Sequence, residues 1–320
     1  MTTPPTPPAP LAMAERIALT VGPVLYHWPR QTLLDFYAGI ADSAADAVVL
    51  GETVCARRRE LRLDDWLGLA RDLAAAGKQV VLATQTLIES EADLRLVRRL
   101  AAQRDFMVEA GDASALQCLA GSGPFVLGPH INIYNRPALL EHAALGAVRW
   151  VAPVELSLDA LALINPPGRA VHETAGPPMA TEVFAFGRLP LAHSARCFTA
   201  RHQRLNKDDC AFRCLHDADG LLLSSSEQQP FLVINGTQMQ SAATQCLIGD
   251  GAALRAAGIS RLRLSPGSRG FVDVIRHFDH VINHGANATA ALHAIQASVP
   301  AGGLSNGFAH RRAGLEWATA

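Results

Sequence analysis

The chain has 320 residues, of which 49% are hydrophobic and 18% charged, enough apolar material for a large core in one or two domains. A formal net charge of −1 and an aromatic content of 6% argue against nucleic acid or an anionic membrane surface as an electrostatic partner. The basic runs Arg57-Arg58-Arg59 and Arg311-Arg312 are short and read as solvated surface patches.

Residues 1–14 are rich in Pro and Thr and lack a basic segment followed by an apolar one, so a disordered tail is expected there rather than a leader or anchor. One domain is expected over 15–320, and no stretch is apolar and long enough to span a bilayer, which points to a cytoplasmic protein. In that reducing compartment six cysteines suggest metal or redox chemistry before structural disulfides.

Short β-type runs are predicted at 16–21 and 46–51, with helical periodicity at 32–40 between them. A helix at 64–76 follows, with Asp64 as N-cap and Gly77 as stop signal. Strands at 79–84, 105–110 and 124–128 alternate with helices at 89–103 and 113–120. A helix at 136–145 precedes strands at 148–152, 182–187 and 261–265, while Gly121 and Gly146 sit just past their helices. Eight strands, expected to be apolar on both faces, alternate with helices as in a parallel sheet covered by helices. No Gly-x-Gly-x-x-Gly follows an early strand, so an α/β fold of the (β/α)8 TIM-type barrel class is expected rather than an open doubly wound sheet.

The stretch 189–225 reads as one long loop after the seventh strand and carries Cys197, Cys210 and Cys214. Long structureless loops in compact domains are usually functional. Cys55 lies just past the second strand, so a barrel places all four cysteines on its C-terminal rim. Cys197, Cys210 and Cys214 are spaced Cys-x12-Cys-x3-Cys. Three close thiolates plus one remote thiolate suit a [4Fe–4S] cluster; a zinc site or unligated thiols remain open on spacing alone. Cys118, beside Leu116 and Leu119, and Cys246, beside Leu247 and Ile248, sit in apolar helical patterns and read as inert buried thiols. Arg196, Arg201, Arg204, Lys207 and Arg213 either stabilise an anionic centre or belong to an ordinary solvated loop.

Among polar residues at the rim, Glu52 is a candidate proton donor or a hydrogen-bond acceptor behind the thiol ligands, with a loop salt bridge as the plain alternative. His130, Asn132 and Asn135 follow the fifth strand and are candidates to line a pocket; Glu155 and His193 are further candidates.

At these residues the chain resembles the collagenase-like (U-type) peptidase family, whose pattern is Glu-x-Phe-x-His-Gly-x-x-Cys-x-x-x-Ser-Gly-Arg-Cys. Glu182, Phe184, Gly187, Ser194, Arg196 and Cys197 match, whereas Phe186, Pro190 and Ala195 depart from it. Glu155-Leu156-Ser157-Leu158 also resembles the family, with Val154 in place of its usual Arg. The loss of a thiol at Pro190 implies Cys55 as the fourth ligand of a [4Fe–4S] cluster with Cys197, Cys210 and Cys214. The runs Gly128-Pro129-His130-Ile131-Asn132-Ile133-Tyr134-Asn135 and Ser194-Ala195-Arg196-Cys197 are similar to a branch acting in oxygen-independent ubiquinone biosynthesis. Ala309 stands where that branch has an aromatic residue.

That resemblance implies a heterodimer with a UbiU-like protein, a UbiT-like lipid-binding protein as accessory, and a ubiquinone precursor hydroxylated with prephenate as oxygen donor. An RNA-hydroxylating enzyme of the same family and a non-catalytic partner subunit with a structural cluster are the alternatives. Peptidase activity is not expected, since His-Glu-x-x-His does not occur and a Cys–His pair is hard to build when the motif cysteines serve as ligands.

Overall fold

Each predicted apolar run becomes a strand whose neighbours are parallel, and the helices between them cover the outer face. The computed structural model describes residues 15–172 and 176–318; the tail expected at 1–14 lies outside these. The first half runs β1 (Ala18–Val21), α1 (Arg30–Ala41), β2 (Ala47–Leu50), α2 (Leu63–Ala75), β3 (Gln79–Ala83), α3 (Glu91–Ala102), β4 (Met107–Ala110) and α4 (Ala113–Leu119). It continues with β5 (Phe125–Leu127), α5 (Arg136–Ala144), β6 (Ala147–Val151), α6 (Leu158–Ile164) and β7 (Ala180–His193). After α7 (Phe198–His202) come β8 (Leu221–Ser224), β9 (Pro230–Asn235), β10 (Gln238–Cys246) and α8 (Gly251–Ala256). The chain closes with β11 (Arg261–Leu264), α9 (Phe271–His284), α10 (Ala288–Ile295) and β12 (Leu304–Ser305).

β1 to β7 pair in sequence order, and β11 pairs parallel with both β1 and β7, which closes an eight-stranded (β/α)8 barrel. Leu262 stands opposite Leu19 on one side and Val183 on the other. Outward residues such as Leu19, Leu50, Leu82 and Leu127 join the helices in the main core. Local capping explains the helix starts: Ser90, Asp112 and Asn135 each accept an N–H from the first turn of α3, α4 and α5. α2 departs from the expectation that Asp64 caps it, because the helix begins at Leu63 and the Asp65 carboxylate accepts the Arg62 N–H at 2.8 Å. α9 was not foreseen, although Phe271, Val274, Ile275, Phe278 and Ile282 recur at helical spacing and are all buried.

Two expectations are corrected. The strands are not apolar on both faces. Inside the barrel, Val49, Val81, Ala83, Val126 and Val151 share the space with charged side chains. Arg263 forms a fork with both oxygens of Glu109 at 2.9 and 2.6 Å and donates through Nε to Glu182 at 2.6 Å. Arg149 and Arg261 lie 3.4 and 3.6 Å from the same Glu182 oxygen. Burial pushes Glu182 up, but Arg263, Arg149 and Arg261 together pull it below the ordinary carboxylate value.

Secondly, the seventh strand does not stop near 187. β7 runs on to His193 because its second half pairs antiparallel with β10, Arg188 opposite Thr244 and His193 opposite Gln238. The register shifts on both sides of Gln240, the residue opposite Pro190, which has no N–H to donate. β8, β9 and β10 thus form an antiparallel extension of the barrel wall. Cys246 ends β10 and is not helical.

Candidate functional site

The turn after β2 is built around Glu52, whose Oε1 accepts the N–H groups of Val54 and Cys55 at 2.9 and 3.0 Å. The Arg58 N–H then donates to the Cys55 carbonyl at 3.0 Å and closes the turn. Burial raises the Glu52 carboxyl above its ordinary value, opposed by nearby Arg58 and the two N–H donors. Its visible work is to shape the loop that presents Cys55.

Cys197 is the N-cap of α7, its Sγ accepting the Ala200 N–H at 3.4 Å. Cys210 ends a 3-10 turn over Lys207–Asp209. Ala211 and Phe212 then take left-handed φ angles of 46° and 50°, reversing the chain into a second 3-10 turn over Arg213–His216 that carries Cys214. Cys55 lies within electrostatic range of Cys197, and Cys214 within range of Cys197 and Cys210. Burial raises the Cys55 and Cys214 thiols first, and Cys197 adds to the rise at both. Cys210 adds to it at Cys214. Among the described residues, no group of three or more His, Cys, Asp or Glu is arranged to hold a single metal ion.

The predicted cations Arg196, Arg201, Arg204 and Arg213 are exposed, while Lys207 bonds the Ala195 carbonyl at 2.8 Å and pairs with Glu89. The cation at the thiols is Arg58, 4% exposed, which sequence reading had placed in a solvated patch. It donates to the Leu25 carbonyl and to Asn235 Oδ1, both at 2.8 Å, and its charge favours the thiolate of Cys214. Its guanidinium lies 3.9 Å from Glu52.

The β9–β10 turn joins these parts. The Gly236 carbonyl accepts the N–H groups of Phe198 and Thr199 at 2.8 and 3.3 Å, and its own N–H donates to Thr199 Oγ1 at 2.9 Å. Thr237 Oγ1 donates to the Val54 carbonyl. One turn therefore holds both the Cys55 loop and the start of α7. Gly236 has φ +64°, and a Cβ there would stand 2.7 Å from Arg58 Nη2, so glycine is required.

His27 was also missed. Its Nδ1 lies 3.5 Å from Cys214 Sγ and its Nε2 3.3 Å from Glu60 Oε1. Burial and the Arg58 charge lower its pKa, against the pull of Glu60.

Of the other candidates, His130 and His193 meet edge to face at the barrel mouth with ring centroids 4.6 Å apart. Burial lowers His130 to about 3, helped by His193 and Arg263, and lowers His193 to about 4. His193 Nε2 is 3.2 Å from Gln238 Nε2, and Gln238 Oε1 is 3.4 Å from Asn235 Nδ2, so a polar chain runs from the mouth to Arg58. Asn132 is exposed, Asn135 caps α5, and Glu155 is an exposed acceptor for Tyr134. Cys118 is half-buried in α4, and burial pushes the Cys246 thiol up to about 12.

The chain is a TIM-type barrel that carries Cys55 on the loop after β2 and Cys197, Cys210 and Cys214 on the segment between β7 and β8. The chain belongs to peptidase family U32, the sequence pattern of which matches residues 35–319. Among solved structures it is similar to the U32 peptidase Mk0906, at 10% identity and a TM-score of 0.43 over 81% of this chain and 96% of that one. It is also similar to phospho-2-dehydro-3-deoxyheptonate aldolase (DAHP synthase) from Thermotoga maritima, at 11% identity and a TM-score of 0.43 over 85% and 70% of the two chains. Among the described residues no helix is long and apolar enough to cross a membrane.

Proposed function

We propose that this chain is an iron–sulfur protein of the UbiV type within family U32. In that reading it serves the O2-independent hydroxylation of the ubiquinone ring, with a UbiU-like partner, a UbiT-like lipid-binding protein and prephenate as oxygen donor. The observation that carries the iron–sulfur part is that Cys55 and the Cys197, Cys210 and Cys214 segment follow two strands of one barrel rim, with Cys55 and Cys214 both beside the buried Arg58 guanidinium.

The residues fit such a group. Four thiols supply one ligand for each of four irons, and the Arg58 charge favours the ionised form of Cys55 and Cys214. The Ala200 N–H donates to Cys197 Sγ. Arg58 offsets negative charge at both Cys214 and Cys55. Glu52 and the β9–β10 turn hold the loops that present these ligands. A bound [4Fe–4S] cluster supplies one-electron transfer.

The test is purification without oxygen, followed by iron, acid-labile sulfide and zinc analysis and a visible spectrum. Iron and sulfide in equal amounts with broad absorbance near about 400 nm support the proposal. Zinc without sulfide overturns it. The hydroxylation part is tested in cells lacking the chain and grown without oxygen, where ubiquinone should return with the wild-type chain.

The contact of Cys214 with His27, itself beside Glu60, favours a second reading as a thiol hydrolase with Cys214 as nucleophile and His27 as base. A hydrolase would lose activity with Cys214→Ala and keep it with Cys210→Ala, whereas a cluster is lost in both.

A further inference from the structure

The charge beside the thiols is the buried Arg58, which leaves the cations of the segment between β7 and β8 without a part in the site. Arg196, Arg201, Arg204 and Arg213 are all exposed, and none forms an ion pair or a side-chain hydrogen bond among the described residues. Lys207 pairs with Glu89, and Arg57 with Asp208. Five of the chain's 28 basic residues but only two of its 29 acidic ones lie between Ala195 and His216, in a chain of net charge −1. This segment is therefore a basic patch on a chain that is acidic elsewhere.

Patch and thiols are interleaved. Arg196 precedes Cys197, Arg213 precedes Cys214, and Arg201 lies one turn along α7 from Cys197. Cys55, Cys210 and Cys214 are partly exposed, so the thiols reach the surface beside these arginines. A protein that exchanges an electron there has to dock over them, and such encounters use small surfaces of complementary charge. The segment suits other polyanions less well. Phe198 and Phe212 are half-buried, Phe212 edge-on to His27, so no exposed Phe, Tyr or Trp is there for bases to stack on. No large apolar side chain between Ala195 and His216 is exposed for insertion into a membrane.

We propose that this patch docks an acidic one-electron carrier protein of the ferredoxin class. Its docking rests on the four exposed arginines, and only the electron step rests on the iron–sulfur reading. In that step one electron passes from the reduced carrier to the group held by the four thiols. The carrier is oxidised by one electron, and no bond or proton changes.

The experiment is calorimetric titration of the full chain, purified without oxygen, with an acidic plant-type ferredoxin at about 0.01 M salt. Arg196→Glu with Arg201→Glu, and separately Arg204→Glu with Arg213→Glu, should each weaken binding about tenfold while iron per chain stays unchanged. Raising the salt to about 1 M shortens the screening length from about 30 to about 3 Å and should weaken the wild type likewise. Arg71→Glu with Arg104→Glu makes the same change in net charge on exposed residues outside the segment, and it should bind as the wild type does. In stopped flow, reduced ferredoxin should bleach the visible absorbance of the wild type about tenfold faster than that of either patch variant. Absence of binding, or an equal loss in the Arg71 and Arg104 variant, overturns the proposal. So does tighter binding of poly(U) RNA or phosphatidylserine vesicles than of ferredoxin. Iron and sulfide without ferredoxin binding leave the iron–sulfur reading standing and sink the docking. Ferredoxin binding to a chain that holds zinc and no sulfide keeps the docking surface and overturns the electron step together with that reading.

Discussion

Arg58 Nη2 donates to Asn235 Oδ1 at 2.8 Å, and this bond ties the turn that presents Cys55 to the β9–β10 turn. Asn235 in turn donates to the Leu25 carbonyl at 2.8 Å, the same oxygen that receives Arg58 Nη1. Three loops far apart in sequence are therefore fastened at one buried guanidinium. One of them presents Cys55, and the β9–β10 turn also holds the start of α7, which Cys197 caps.

Arg58→Met should be costly despite its similar reach. It removes a donor from Asn235 and leaves the raised Glu52 carboxyl without its cation. Breaking a buried charged contact from one side costs about 3 kcal/mol. Urea denaturation should show that loss, and iron bound per chain should fall with it.

Gly236→Ala attacks the same point from the other side. The positive φ and the contact with Arg58 Nη2 predict about 1–3 kcal/mol of destabilisation. Part of the loss is the clash with the guanidinium, so the double variant with Arg58→Met should lose less than the sum of the two. Additive losses would show that Gly236 does not act through Arg58.

Two acid-sensitive windows should be separable. His130 and His193 are lowered to about 3 and about 4 in the folded chain, from an ordinary value of 6.5. The unfolded chain therefore binds more protons below 6.5, and stability should begin to fall as the pH drops through that value. His130→Gln should flatten this part of a urea-midpoint profile.

Glu182 acts in a lower window. Its folded pKa lies below the ordinary 4.5, so its contribution is present above 4.5 and is lost as the pH falls through the folded value. Glu182→Gln should remove that acid slope. It should also cost about 3–5 kcal/mol at neutral pH, because Arg263, Arg149 and Arg261 lose a shared counter-charge.

Cys55→Ala should abolish iron and sulfide binding, whereas Cys118→Ala on α4 should leave both unchanged. Equal behaviour of the two variants in metal analysis would show that Cys55 is not a ligand.

Much of the barrel was legible because its signals are local. Alternating runs such as 46–51 and 79–84 lie where β2 and β3 form, and Ser90, Asp112 and Asn135 mark helix starts by their own side chains. The extension of β7 to His193 was not legible, since it depends on pairing with β10, some fifty residues further along. Cys246 shows the same limit: its apolar neighbours suit a helix or a buried strand equally, and its pairing with Phe186 decides for the strand.

The candidate site divides in a similar way. Spacing along the chain singled out Cys197, Cys210 and Cys214, while the place of Cys55 after the second strand and the motif's loss of a thiol at Pro190 brought it in as the fourth. Which cation attends them was decided only in three dimensions. Arg57, Arg58 and Arg59 look alike in sequence, yet only Arg58 turns inward, where the Leu25 carbonyl, Asn235 and Glu52 meet its charge. By itself the sequence determined the alternation of strands and helices and the set of thiols, because those follow from neighbours along the chain. The tertiary structure decided the buried charges, the contact of His27 with Cys214 and which cations stay exposed beside the thiols. Burial is a property of what closes over a residue, and those partners lie far away in sequence.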